Sequence, residues 1–497
     1  MTIDPASPCL VGTARHTWHP GGPPAPEPIA MWEQLCRAAA LDASPTYDLL
    51  TSVDYLGLVH CQSWAYDQPS RRLNQRLGIE PARSVESILA GTSPQRLINE
   101  AAVAMLRGQC SAALIVGGEA LATRRVFDRA GEALPWSDPD PNPSKFPIDL
   151  HEWHVPTELA HGVVPAWLTF ALLEQARWAA HAADPDRLEL RSVIAKLAAA
   201  AWTNPDAWFR EDRTREELTT PGPGNRMVAS PYTKRMTAFL DVDMAAANLL
   251  VTKELADRYA IPEDRRVYLR GWGFARDAVH LAARDDLTSS AGMRHATAQA
   301  LAVADIHVDD IDAFDLYSCF GSAVQFATDA LGLDADDERP ITVTGGLPYH
   351  GGPSSNYLSH STSHMVDRLR TGQSATALTT GVGMHLTKHV AAVWSRTPGP
   401  IRQWTDDGDQ RWMALAGSTD RRIAESAAGP AVLSAATVIY GPGGEPHHAL
   451  AICDLPDGSR CYAQTDRQEV MDAVLDDAWA RRRITVIPNG ATNDLTL

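Results

Sequence analysis

The residues best equipped for chemistry lie between Asp315 and His360. Two glycine pairs, two prolines and a histidine make up Thr344-Gly-Gly-Leu-Pro-Tyr-His-Gly-Gly-Pro353, and Ser354-Ser-Asn356 then leads into a helix-like stretch, Leu358 to Arg370. A tight turn feeding a helix presents unpaired backbone N–H groups and a partial positive charge, a seat for an anion or a developing oxyanion. Proton-exchanging side chains surround it: Tyr317, Tyr349, His350, Tyr357 and His360. A phenol near its ordinary pKa of about 10 is a poor base at neutral pH unless a cation or dipole stands beside it. Tyr317 reads equally as a packed aromatic, and His350 in its Gly/Pro turn as a backbone anchor. Lys234 and Arg235 stand next to Tyr232 and form either a solvated face or a phosphate contact. His360 with His364, and His385 with His389, have i to i+4 spacing, but no acidic third ligand stands at a metal-site spacing, so no metal is expected.

These residues must be positioned by a scaffold, and the chain contains an echo that describes one. Ala113-Leu114 and Ala377-Leu378 sit in matching Ala/Gly-rich contexts 264 residues apart. At that offset Gly91, Thr92 and Ser93 fall on Ser355, Asn356 and Tyr357. Each copy has a small-residue turn, a helix of about 15 residues and an apolar strand ending in glycines. If the copies are a duplication, two helix N-termini converge on one pseudo-twofold centre. Thr92 and Ser93 read as helix caps rather than nucleophiles, because no His–Asp pair is evident to activate them.

Short apolar strands alternate with helices in the order of a parallel α/β layer. Expected strands cover Leu10–Arg15, Leu49–Val59, Ser111–Val116 and Val267–Gly273, with a last strand ending near Met384. Expected helices cover Met31–Leu41, Pro94–Arg107, Pro165–His181, Asp243–Arg258, Gly292–Val303 and His385–Ser395. The alternation breaks between Ala120 and Arg235, where the loop Trp136–Ser144 and the Trp/Phe-rich helix suit a lid. Beyond Thr397-Pro-Gly-Pro400 the pattern changes to β-hairpins, closing with a helix over Gln468–Arg481.

The 497 residues carry 44 Lys plus Arg against 61 Asp plus Glu, a formal charge of -17 that argues against nucleic acid as a partner. Seven scattered cysteines without a Cys-x-x-Cys pair fit reduced thiols in a cytoplasm. Neither a signal pattern nor a run of about 20 apolar residues is present, so no membrane span is expected.

Taken together, the order of elements, the glycine-rich turn Thr344–Pro353 and the loop Tyr317-Ser-Cys-Phe320 resemble thiolases of the sterol-carrier-protein type. The closer resemblance is to the mycobacterial type 1 thiolase-like proteins, often labelled acetyl-CoA acetyltransferase, which carry an added C-terminal domain. It implies an α/β fold of two βαβαβαββ halves in five αβαβα layers, plus a small mostly β module that is barrel-like. The implied domains are a first half (1–120 and 236–262), a loop domain (121–235), a second half (263–397) and the added module (398–497). The implied ligand is coenzyme A or acyl-CoA, bound non-covalently by a cytoplasmic acyltransferase of lipid metabolism, as a homodimer or a monomer.

Thiolase chemistry needs a cysteine at the first helix N-terminus, because the thiolate takes the acyl group and the helix end lowers its pKa. Ala90-Gly-Thr-Ser93 stands there instead. The family's turn histidine falls near Gly352 and its second cysteine near Thr379. Orthodox thiolysis is therefore expected to be absent, while N–H groups at Gly91, Thr92, Ser93, Gly351 and Gly352, with Lys234 and Arg235 for phosphate, could still hold a thioester. Two alternatives stand beside this. One is a retro-aldolase-like lyase on a β-hydroxyacyl-CoA that uses Tyr317, His350 or Tyr357 as acid and base. The other is a non-catalytic CoA-binding scaffold.

Overall fold

A computed structural model describes residues 3–142, 153–181, 189–404, 420–476 and 479–497. In chain order its strands are β1 (Pro8–Thr17), β2 (Tyr55–Leu58), β3 (Arg83–Glu86), β4 (Ala112–Ala120), β5 (Met227–Ala229), β6 (Tyr232–Thr233), β7 (Asp243–Thr252), β8 (Val267–Arg276), β9 (Ala313–Asp315), β10 (Thr376–Gly383), β11 (Lys388–Ser395), β12 (Gly429–Tyr440), β13 (Pro446–Asp454), β14 (Arg460–Thr465), β15 (Arg483–Asn489) and β16 (Thr492–Thr496).

Nine of them run β3-β2-β4-β7-β1-β8-β11-β10-β9. Among the described residues, the strands of the halves β3-β2-β4-β7-β1 and β9-β10-β11-β8 pair at two positions, Cys9 with Tyr268 and Leu10 with Val267. In each half the outer strands are parallel, and one antiparallel strand, β7 or β11, lies between them and the strand at the junction. The helices Ser93–Leu106 and Tyr357–Arg370, 14 residues each, begin 264 residues apart. They fill the centre, where Leu97, Ile98, Met365 and Val366 pack between Ile115 and Leu250 of one half and Leu269 and Trp394 of the other. Pro28–Ala43 covers the opposite face of the first half, and Ala291–Ala304 with Gly321–Leu331 that of the second. The result is five layers, αβαβα, as expected. Two glycines mark the same close contact in each half: a Cβ on Gly12 would lie 2.1 Å from Ala39 O, and one on Gly271 2.1 Å from Ala300 O. Only glycine lets these helices pack so near their strands.

Two expectations are corrected. The segments read as helices over Asp243–Arg258 and His385–Ser395 are mainly the strands β7 and β11, with only Lys253–Arg258 helical. All ten residues of β7 and all eight of β11 are buried. A strand covered on both faces shows no alternation, and its alanines favour helix on intrinsic propensity, so tertiary ladders decide the outcome. The strand expected over Leu49–Val59 begins with a 3₁₀ turn, Leu49–Ser52, before β2.

In the C-terminal part β12, β13, β14, β16 and β15 pair in succession, and β15 returns to β12, closing a ring. The hairpin β5–β6, from the stretch expected to form the loop domain, extends it through Ala229 and Ile439. The last helix is Gln468–Leu475; the rest of the span expected for it includes residues outside those described, as does part of the Trp136–Ser144 loop. Among the described residues no helix is long and apolar enough to cross a membrane.

Candidate active site and anion pocket

The turns ahead of the two central helices touch. The Ala90 N–H donates to Ser355 Oγ at 3.0 Å, and the second turn also abuts β4, where a Cβ on Gly117 would lie 2.6 Å from Asn356 Oδ1. The second turn bends as its glycines imply, with Gly345 at φ 107° and Gly351 at φ 103°, a left-handed backbone that side chains resist.

At the first turn the decisive contact is with Tyr317. A Cβ on Gly91 would come within 2.2 Å of both Tyr317 Oη and Val382 O, so the phenol stands where a side chain at 91 would project. Tyr317 is positioned by its own N–H, which donates to Thr380 Oγ1 at 2.9 Å, and by an edge-on contact with Tyr357 at 5.5 Å. Burial, with a smaller contribution from Cys319, raises its pKa above the usual phenol range. Tyr317 therefore keeps its proton and is suited to donate a hydrogen bond, not to act as a base. Burial also pushes the Cys319 thiol up to about 12.

The expected site residues differ in what they leave free. Tyr357 is fully buried, its hydroxyl bound at 2.6 Å to Thr344 Oγ1 and at 3.2 Å to Asp315 Oδ2. The Gly352 N–H already donates to Phe239 O at 2.8 Å, so it is not an oxyanion donor. The Ser93 N–H is taken by Ala90 O and its hydroxyl by Ile88 O at 2.7 Å. Thr92 occupies the cap position without a side-chain cap bond, and its buried Oγ1 has no partner among the described residues. The N–H groups of Gly91, Thr92 and Gly351 have no acceptor among the described residues and remain as donors.

His350 is fully buried, with Nδ1 3.2 Å from Gly351 O, Nε2 unpartnered among the described residues, and its pKa lowered to about 4 by burial. Its ring lies 5.4 Å from His360 and 5.5 Å from His364, both likewise lowered by burial. Sequence spacing pairs His360 with His364, but His350 joins them only in the fold. Among the described residues no group of three His, Cys, Asp or Glu side chains is arranged to hold a metal ion.

Lys234 and Arg235 line a cavity of about 190 Å³ together with Arg213 and Glu211. Phe209 and Phe239, in edge-on contact at 4.8 Å, and Tyr349 form its apolar side. The Tyr349 hydroxyl is buried and unpartnered among the described residues. Arg213 and Glu211 were missed from sequence, being more than 20 residues from Lys234 with no motif joining them. From the cavity a line of side chains reaches the first turn: Tyr349 precedes His350, which meets Tyr357 at 5.9 Å, which meets Tyr317.

These features define a thiolase-fold protein whose C-terminal part is a closed β module. No family model and no curated sequence matches the chain. Over its full length, and that of the other chain, it is similar to a monomeric SCP2-thiolase-like protein type 1 from Mycobacterium smegmatis, at 27% identity and TM-score 0.83. An acetyl-CoA acetyltransferase from Syntrophomonas wolfei matches 80% of this chain and all of its own (15% identity, TM-score 0.53). Human mitochondrial 3-ketoacyl-CoA thiolase matches 79% and 99% (17% identity, TM-score 0.53). The latter two share the fold; the resemblance to the type 1 thiolase-like group is the specific one.

Proposed function

We propose that this chain binds coenzyme A or acyl-CoA and does not catalyse thiolysis. The observation that carries the reading is the Tyr317 hydroxyl against Gly91, which fills the space a nucleophile at that turn would need. Lys234, Arg235 and Arg213 supply the charge for the CoA phosphates, with Phe209 and Tyr349 beside them for the nucleotide. The free N–H groups of Gly91, Thr92 and Gly351, with the protonated Tyr317, are the donors for a thioester carbonyl. The relatives named as an acetyl-CoA acetyltransferase and a 3-ketoacyl-CoA thiolase support the ligand class.

Calorimetric titration with CoA is expected to show saturable binding, weakened about fivefold to tenfold by Arg235→Ala, since losing about 1–1.4 kcal/mol of charge-assisted bonding has that effect. Acetoacetyl-CoA thiolysis should not exceed the background rate. Absence of CoA binding at millimolar ligand would defeat the reading, as would thiolysis above the background rate by the wild-type chain.

A further inference from the structure

We propose that Glu211 is an internal competitor for the phosphate seat, a specificity element of the cavity described above; the inference rests on the CoA-binding reading. One carboxylate oxygen, Oε2, bridges both guanidiniums: Arg213 Nε donates to it, and so does Arg235 Nη1 at 3.1 Å. A carboxylate held between two arginines at a cavity wall has the geometry and charge of a bound phosphate oxygen. Lys234, on the same wall, is exposed and makes no ion pair among the described residues. The cavity thus holds three cations, two of them occupied by an anion of the chain itself. Glu211 is 43% exposed and its arginines 29% and 28%, and ion pairs so open to water hold weakly. A ligand with several phosphate charges displaces such a carboxylate; a singly charged or neutral ligand does not. Glu211 therefore filters ligands by charge, favouring a nucleotide that carries both a diphosphate and a further phosphate.

The test compares the wild-type chain with Glu211→Gln, which keeps the shape and removes the competing charge. Titration with CoA at low salt is expected to give about tenfold tighter binding to the variant, the gap shrinking as salt is raised. Pantetheine, which lacks the phosphates, should bind both forms alike. Inorganic pyrophosphate should gain from the substitution as CoA does. Equal or weaker CoA binding by a variant with an unchanged thermal midpoint means that Glu211 orders the arginines rather than blocking them, and overturns the proposal. If neither form binds CoA at millimolar concentration, the ligand reading fails and takes this one with it; wild-type binding without a gain in the variant sinks only the competitor.

Discussion

Gly91→Ala is expected to destabilise the fold by about 2–3 kcal/mol, the cost of forcing a carbon into a filled interior. The new Cβ meets Tyr317 Oη and Val382 O, each at 2.2 Å, with Tyr317 Cζ behind them at 2.7 Å. The carbonyl belongs to β10 and cannot withdraw without disturbing its ladder to β11. Tyr317→Phe removes the hydroxyl and leaves the ring Cζ and the Val382 carbonyl. Tyr317→Phe alone should therefore cost little, and the double variant should recover only part of the Gly91→Ala loss. Urea unfolding of the four proteins checks this, the interaction appearing as departure from additivity. A Gly91→Ala chain as stable as wild type would show that room for a side chain exists at the turn, and the explanation for the absent nucleophile would fail.

The second large effect is on acid stability. His350 has a folded pKa near 4 against about 6.5 in an unfolded chain, because burial removes the water that would solvate its charge. At this side chain the folded state thus binds fewer protons than the unfolded state between those values. Stability is fully present above about pH 6.5 and is lost as pH falls toward 4, by about 3 kcal/mol for this residue alone. His385, also near 4 through burial, adds to it, and His360 and His364 act in the same direction. Carboxylates with lowered pKa, such as Asp42 and Glu158, contribute only at more acid pH. Against a typical total of about 5–15 kcal/mol this is a large fraction. Glu174, raised to about 7 by burial, takes up its proton over the same range and opposes this loss, so the readout is differential: in urea unfolding from pH 7 to pH 5, His350→Gln should lose less stability than the wild-type chain. Parallel profiles for the wild-type chain and His350→Gln would mean that this histidine gains its proton without cost, which burial this complete does not allow.

The duplication was legible because it rests on local text. Small residues ahead of Ser93 and Tyr357 and apolar strands ending in glycines gave the helices and strands of both copies at the right separation. β7 and β11 were not legible, since Ala245, Ala246 and Ala247, or Ala391 and Ala392, say helix until neighbours on both sides are known. The same holds at the site. That Gly91 sits at a special turn follows from the sequence near it, whereas the phenol that fills the turn comes from 226 residues away. Lys234 and Arg235 stood out as neighbours in sequence; Glu211 reaches Arg235 across 24 residues, and His350 meets His360 only because the intervening turn folds back on the helix.

The most direct test of a CoA site without a nucleophile is intact-protein mass after incubation with excess acetyl-CoA, alongside a calorimetric titration of the same sample. The expected result is saturable binding with an unchanged mass. A stable mass increase of one acetyl group, mapped to any residue of the Ala90–Ser93 turn or to Cys319, would contradict it.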